Sequence, residues 1–258
     1  MAGTGKGGTK MMNFLIAPDF SPEHFASWHL LNTVVQRRSG VHLHLLTPTS
    51  AQEQAELLAA GQADMVYANP FDASDLIRTR GYVPLARPVQ RFDEMVIATA
   101  AQSGLKALES LQPGCRIAVT ENRDVRLIGL RLLEPADLDE SLIAWVPVDS
   151  YQAVARKVIK GEVDAGFFLA DAFASLTRLT RSQMQVLVES AIHDISHVLL
   201  ALPQSGIDFE AIKKVFCEMG QMTGDQDLLL SLGLPHGFEP MTQEQAEFMI
   251  DLMETLLD

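Results

Sequence analysis

The chain has 258 residues, and 33 Asp and Glu against 20 Lys and Arg give a formal net charge of −13. With 47% apolar and 21% charged residues it can bury a real core and is not a disordered polyelectrolyte. The acidic excess argues against nucleic acid and anionic membrane as partners, and no uncharged apolar run reaches the roughly 18 residues of a membrane helix.

The start, residues 1–12, reads as a flexible leader rich in Gly, Thr and Lys. Its Gly5-Lys6 pair is no phosphate loop, because Gly7 stands where Ser or Thr is required and no strand precedes it. A secretory signal would need an apolar stretch of about 7–15 residues, which this start lacks. The expected location is therefore the cytoplasm for the sequence as it stands, or the periplasm if a signal has been removed. Residues 14–17 predict a buried strand, followed by a helix with Ser21 as N-cap and Pro22 at its first position, ending at Ser39-Gly40. The next strand, 41–46, puts Val41, Leu43 and Leu45 on one face and His42 and His44 on the other. Two imidazoles would need a third ligand to hold a metal, so they read as polar residues of a solvated or half-buried face, and no metal or cofactor is expected.

The most informative pattern is an internal echo. SAQEQAELLAAGQADMVYANPFDA, from Ser50, lies over SYQAVARKVIKGEVDAGFFLADAF, from Ser150. Ser50 matches Ser150, Gly61 matches Gly161, Asp64 matches Asp164, and Tyr67 meets the aromatic Phe167. Each copy predicts a Ser-capped helix, a terminal Gly and a short strand led by Asp. Two such copies suggest two α/β lobes of similar construction, each a mixed, mostly parallel sheet flanked by helices. Apolar runs at 92–99 and 194–202 predict strands crossing between the lobes. The expected division is 13–95 plus 200–258 for a discontinuous first lobe and 96–199 for the second. The tail is helical, and its last helix opens with a capping box of Thr242 and Gln245.

Cys115 and Cys217 make neither a metal cluster nor a disulfide framework; buried thiols are expected, with one bridge as the alternative. Nucleophile-elbow, zinc-protease, Cys-x-x-Cys and Rossmann glycine patterns do not occur. A binding role has better support, because ligands of open α/β sheets sit beyond the carboxyl ends of the strands, where helix N-termini gather. The loops at that end contain Phe20-Ser21, Thr47 to Ser50, Asn69-Pro70, Asn122-Arg123 and Ser150-Tyr151. Four N-cap residues among them, Ser21, Ser50, Asn122 and Ser150, favour an anion, although capping alone explains each one singly.

In order and spacing these segments resemble the phosphate/phosphite/phosphonate-binding proteins of ABC transporters, which have the two-lobed type II periplasmic-binding-protein fold. The resemblance covers residues 14–257. It rests on APDFSPEHFASWHLLNTVVQRRSGVHLHLL, LLAAGQADMVYANPFDA, VDSYQAVARKVIKGEVDAGFFLADAF and the late turn LGLPHGFEPMT. It implies a non-enzymatic solute-binding protein that closes two lobes on a small ligand, an oxyanion being favoured, with an ABC permease or a signalling protein as partner. It further implies that Tyr67 donates its hydroxyl to the ligand, that Phe20, Ser21, Ser150 and Tyr151 line the cleft, and that Asp171 accepts from a protonated oxygen or an amine. One segment departs from the family. Where Ser-Thr-Ser-Gly grips phosphoryl oxygens, this chain has Asp124, Val125, Arg126 and Leu127. Arg123 or Arg126 would compensate as a bidentate clamp, or both lie on the exposed side of their helix. The alternative reading is a cytoplasmic sensor of the same fold with a rebuilt pocket; an enzyme on this fold comes last.

Overall fold

In a computed structural model, residues 11–18, 20, 24–203 and 208–255 are described. The expected cap Ser21, with Pro22, lies outside them, as does most of the leader. The elements are β1 (Met12–Ile16), α1 (Phe25–Ser39), β2 (Leu43–Leu46), α2 (Ala51–Ala59), β3 (Met65–Ala68), α3 (Pro70–Arg78), β4 (Val83–Pro88) and β5 (Met95–Ala100). There follow β6 (Arg116–Val119), α4 (Arg123–Leu132), β7 (Ala144–Pro147), α5 (Tyr151–Ile159), β8 (Ala165–Leu169), α6 (Ala170–Ser175), α7 (Arg178–Ser182) and β9 (Met184–Glu189). The last are β10 (Val198–Ala201), α8 (Phe209–Met219), α9 (Gln226–Ser231), β11 (Phe238–Pro240) and α10 (Gln243–Thr255).

These form two units. The described residues up to Arg91 join those from Ser196 to Ile250, and Phe92–Ile195 joins those from Asp251 on. The chain thus passes between units just before β5, just before β10 and again within α10, at Ile250–Asp251. The strands expected to cross do not: β5 pairs only within the second sheet, and β10 only within the first. A strand whose ladder is complete in one sheet leaves the crossing to the loop beside it.

Each unit repeats one plan. In the first, the strand order is β11-β4-β10-β3-β1-β2, and in the second β7-β6-β8-β5-β9. The strands β2-β1-β3 and β7-β6-β8 are parallel trios, each followed by an antiparallel neighbour, β10 or β5. Parallel neighbours need a crossover, which α1 and α2 supply in one unit and α4 and α5 in the other. The fully buried central strands carry continuous apolar runs, as both faces are covered by helices.

The internal echo is structural. Ser50 and Ser150 each cap a helix, accepting from the N–H of Glu53 at 3.2 Å and of Ala153 at 3.3 Å. Gly61 and Gly161 then take left-handed φ of 64° and 68°, as the reversal into β3 and β8 requires. Asp64 and Asp164 do the same job in each copy. The carboxylate of Asp64 accepts from the Asn13 N–H at 2.9 Å, and that of Asp164 from the Arg116 N–H at 2.8 Å, locking the strand start to its neighbour. The Thr242–Gln245 capping box is formed reciprocally, at 2.9 and 3.2 Å. His44 is exposed on β2 and His42 just before it, and the described residues hold no cluster fit for a metal. Both thiols are free and in different units, and burial raises each above its ordinary pKa.

Asp164 makes a pH prediction. Burial works to raise its carboxyl, but the Arg116 N–H and guanidinium outweigh burial and hold it below the ordinary carboxylate value. Its stabilisation is therefore present above the unfolded pKa and lost as pH falls through the lower folded one. Asp164→Asn is expected to cost about 1 kcal/mol at neutral pH, given the half-exposed pair. The gap from wild type should close below about pH 4. Urea titrations at neutral pH and in acid measure both; a gap that persists in acid refutes the assignment.

Candidate functional site

In the first unit, β1, β2 and β3 run parallel, so their carboxyl ends share one edge. The antiparallel β10 begins at that same edge. Tyr67 sits on β3 opposite Leu199. Residues two apart share a strand face, so His197, just before β10, lies diagonal to Tyr67. The two rings stack at 5.3 Å with an interplanar angle of 29°. Phe20 also stacks on Tyr67, at 5.6 Å and 18°, and Trp28 of α1 lies 5.0 Å from it. Phe20 closes the group, 5.3 Å from His197 and 5.4 Å from Trp28. Below it, Phe14, Phe216 and Phe238 continue the aromatic packing into the core. Tyr67 and Trp28 are buried, while Phe20 is half-buried and forms the outer wall.

This aromatic group carries polar atoms. The indole N–H of Trp28 and the hydroxyl of Ser196 are buried and have no hydrogen-bond partner among the described residues. Buried donors are usually paired, and these two are exceptions. Asn69, by contrast, is committed to the backbone: it caps α3, accepting from the Asp72 N–H at 2.8 Å, and donates to the Asp72 carboxylate at 3.1 Å.

In the second unit the matching edge is formed by the carboxyl ends of β6, β7 and β8 and the start of β5. Asn122 caps α4, accepting from the Val125 N–H at 3.0 Å. Asp124 is buried in the first turn of that helix, so the protein places its own negative charge at the helix's positive end. Arg123 is exposed. Arg126 turns instead to Glu140, with which it is ion-paired, and its guanidinium lies 4.6 Å above the Trp145 ring. Ser150 caps α5, and Tyr151, half-buried, stacks on Phe168 at 6.3 Å. Asp171 is exposed in the first turn of α6. At the start of β5, the Glu94 carboxylate accepts from the Ser190 hydroxyl and, at 2.7 Å, from the His193 N–H.

Tyr67 and Phe20 are thus brought together in the first unit, and Asn122, Arg123, Ser150, Tyr151 and Asp171 lie along one sheet edge of the second. Trp28, Ser196, His197 and Glu94 were not anticipated. The available signal was the polar pair Ser196-His197 directly before an apolar run, since a strand start is where a side chain faces the sheet edge. Trp28 had none, because a lone aromatic in an amphipathic helix reads as core.

The family described as "ABC transporter, phosphonate, periplasmic substrate-binding protein" matches residues 14–246. The chain belongs to this family. Among solved structures, PhnD1 from Prochlorococcus marinus in complex with methylphosphonate is similar with a TM-score of 0.80 at 14% identity, over 97% of this chain and 99% of that one. XAC2383 from Xanthomonas citri bound to ATP gives a TM-score of 0.75 at 16% identity, over 96% and 98%. The periplasmic aliphatic sulphonate binding protein SsuA from Escherichia coli gives 0.66 at 15% identity, over 97% and 92%. No curated protein matches by sequence. At these identities the likeness is one of fold, and membership of the phosphonate-binding family carries the solute-binding function.

Proposed function

We propose that this phosphonate-family protein captures a small solute at the carboxyl ends of its strands and that the solute bears no more than one net negative charge. Tyr67, with Phe20 and His197 stacked on it, offers a flat, partly apolar surface in the first unit. The indole N–H of Trp28 and the hydroxyl of Ser196 supply donors beside it. The second unit presents strand-end groups of its own, the polar Asn122, Ser150, Tyr151 and Asp171 and the cationic Arg123. The observation that carries the charge limit is Asp124. A buried carboxylate in the first turn of α4 occupies the place where a dianion would gain most from the helix dipole, and it repels one. The protein performs no chemistry on its solute and hands it to an ABC permease or signals its presence to a partner.

Sulfate and methanesulfonate separate charge from shape, since one is a dianion and the other a monoanion. Thermal melts with each are expected to show stabilisation by the sulfonate and none by sulfate. A ligand at a hundred times its Kd stabilises by about 2.7 kcal/mol. Asp124→Asn is expected to let sulfate bind, and Tyr67→Phe to weaken the sulfonate about tenfold, the value of one lost hydrogen bond to a charged group. Equal stabilisation of the wild type by sulfate, or sulfonate binding untouched in Tyr67→Phe, overturns the reading.

A further inference from the structure

The second unit carries a surface cavity of about 440 Å³ that is separate from the strand ends. One wall is a single face of α5, on which Gln152, Ala155, Arg156, Ile159 and Lys160 follow helical spacing over about 12 Å. The other wall is the turn joining α6 to α7, with Leu176 and three hydroxyl residues. The floor is apolar: Ala155 and Leu176 are buried and Ile159 half-buried. The rim is not. Thr177 and Thr180 share a hydroxyl hydrogen bond at 2.9 Å, which leaves oxygen lone pairs and one proton for a further partner. Ser175 donates its proton to the Ala172 carbonyl at 2.8 Å and so faces outward as an acceptor.

The rim carries two cations, Arg156 and Lys160. Among the described residues, Arg38, Arg78, Arg80, Arg87, Arg116, Arg126 and Arg131 each reach a carboxylate, whereas Arg156, like Arg37, Arg178 and Arg181, does not. Arg156 makes no ion pair among the described residues, and Lys160 only a long one, 3.8 Å from Glu162, whose closer partner is Lys157 at 3.0 Å. Placement near the end of α5 accounts for a favourable sign against the helix dipole. It does not account for an apolar-floored cavity ringed by hydroxyls directly beneath an unpaired guanidinium.

We propose that this groove is a second binding site, for a small amphiphilic anion: a phosphate monoester or carboxylate on a short aliphatic or flat apolar body. The apolar part fills the floor between Ala155, Ile159 and Leu176. The anionic head meets Arg156, whose planar fork suits a carboxylate or phosphate bidentately, with Lys160 as a supporting charge. The volume falls within the roughly 300–1,000 Å³ usual for small-molecule sites. The site is independent of the solute site, since no residue is shared.

The probes are hexyl phosphate, hexanol and hexylamine, titrated by calorimetry into the wild-type protein and its groove variants, so that the difference between them reads the groove apart from the strand-end site. Hexyl phosphate is expected to bind saturably, hexanol at least tenfold more weakly and hexylamine not at all. Arg156→Gln should weaken hexyl phosphate about tenfold, and Gln152→Trp, which places an indole at the groove mouth, should block it. Both substitutions are at exposed positions and should leave the melting temperature unchanged. Raised salt should weaken hexyl phosphate and not hexanol. Binding of all three probes alike, no saturable binding, or hexyl phosphate affinity unchanged in Arg156→Gln overturns the proposal. Failure of the sulfonate experiment leaves this outcome untouched.

Discussion

Gly129→Ala is expected to destabilise the second unit by about 3 kcal/mol or more, despite replacing the poorer helix former with the best one. Gly129 lies in α4 against Phe167 of β8, and a Cβ there would stand 2.2 Å from the ring's Cε2 and 2.7 Å from Cζ. The ring cannot step aside. Phe167 is wholly buried, with Trp145 edge-on at 5.6 Å on the same ring. Helix propensity returns about 1 kcal/mol to the substitution, far less than a clash inside van der Waals contact removes. Thermal unfolding of the variant should shift down by about 10 °C, at roughly 4 °C per kcal/mol for a unit of this size. A melting temperature within a degree or two of wild type would show that α4 does not press on β8 as described.

Trp28→Ala should cost about 3–5 kcal/mol and abolish solute binding together with stability of the first unit. The indole is fully buried and touches three rings: Phe14 at 6.5 Å, Phe20 at 5.4 Å and Tyr67 at 5.0 Å. Removing it opens a cavity behind the two residues that form the aromatic surface. Phe20, only half-buried, has no comparable support apart from Tyr67 and His197. Trp28→Phe keeps a ring in the gap and should retain well over half of the stability lost in Trp28→Ala. Denaturant titration of both variants checks this. If Trp28→Ala stayed within 1 kcal/mol of wild type, the cluster would not be the rigid support the geometry describes.

Much of this molecule was legible before any coordinates. Ser50, Ser150, Asn122 and the Thr242–Gln245 pair announce helix starts because a cap is made by residues two or three apart. The echo of Gly61 and Asp64 in Gly161 and Asp164 announced two sheets of one design, because turn and strand start are also local. The crossing points were less legible. An apolar run shows that a strand exists, but its hydrogen-bonded neighbour decides to which unit it belongs.

The candidate site divides the same way. Tyr67 was put forward by the family resemblance, at the end of the Asp-x-x-aromatic stretch that both copies share. That His197 stacks on it follows only from the register of β10 against β3, which sets Leu199 opposite Tyr67. Arg126 could be read as an anion clamp until Glu140 and Trp145, distant in sequence, were found to hold it. The same contrast separates the strand after each repeat's helix: Tyr67 meets a tryptophan from α1, whereas Phe167 meets a glycine from α4. Sequence alone determined the caps, turns, strands and the doubled plan, since their free energy comes from neighbours along the chain. Only the tertiary structure decided which side chains gather at the strand ends, because those contacts form across strand registers and helix faces that no local spacing encodes.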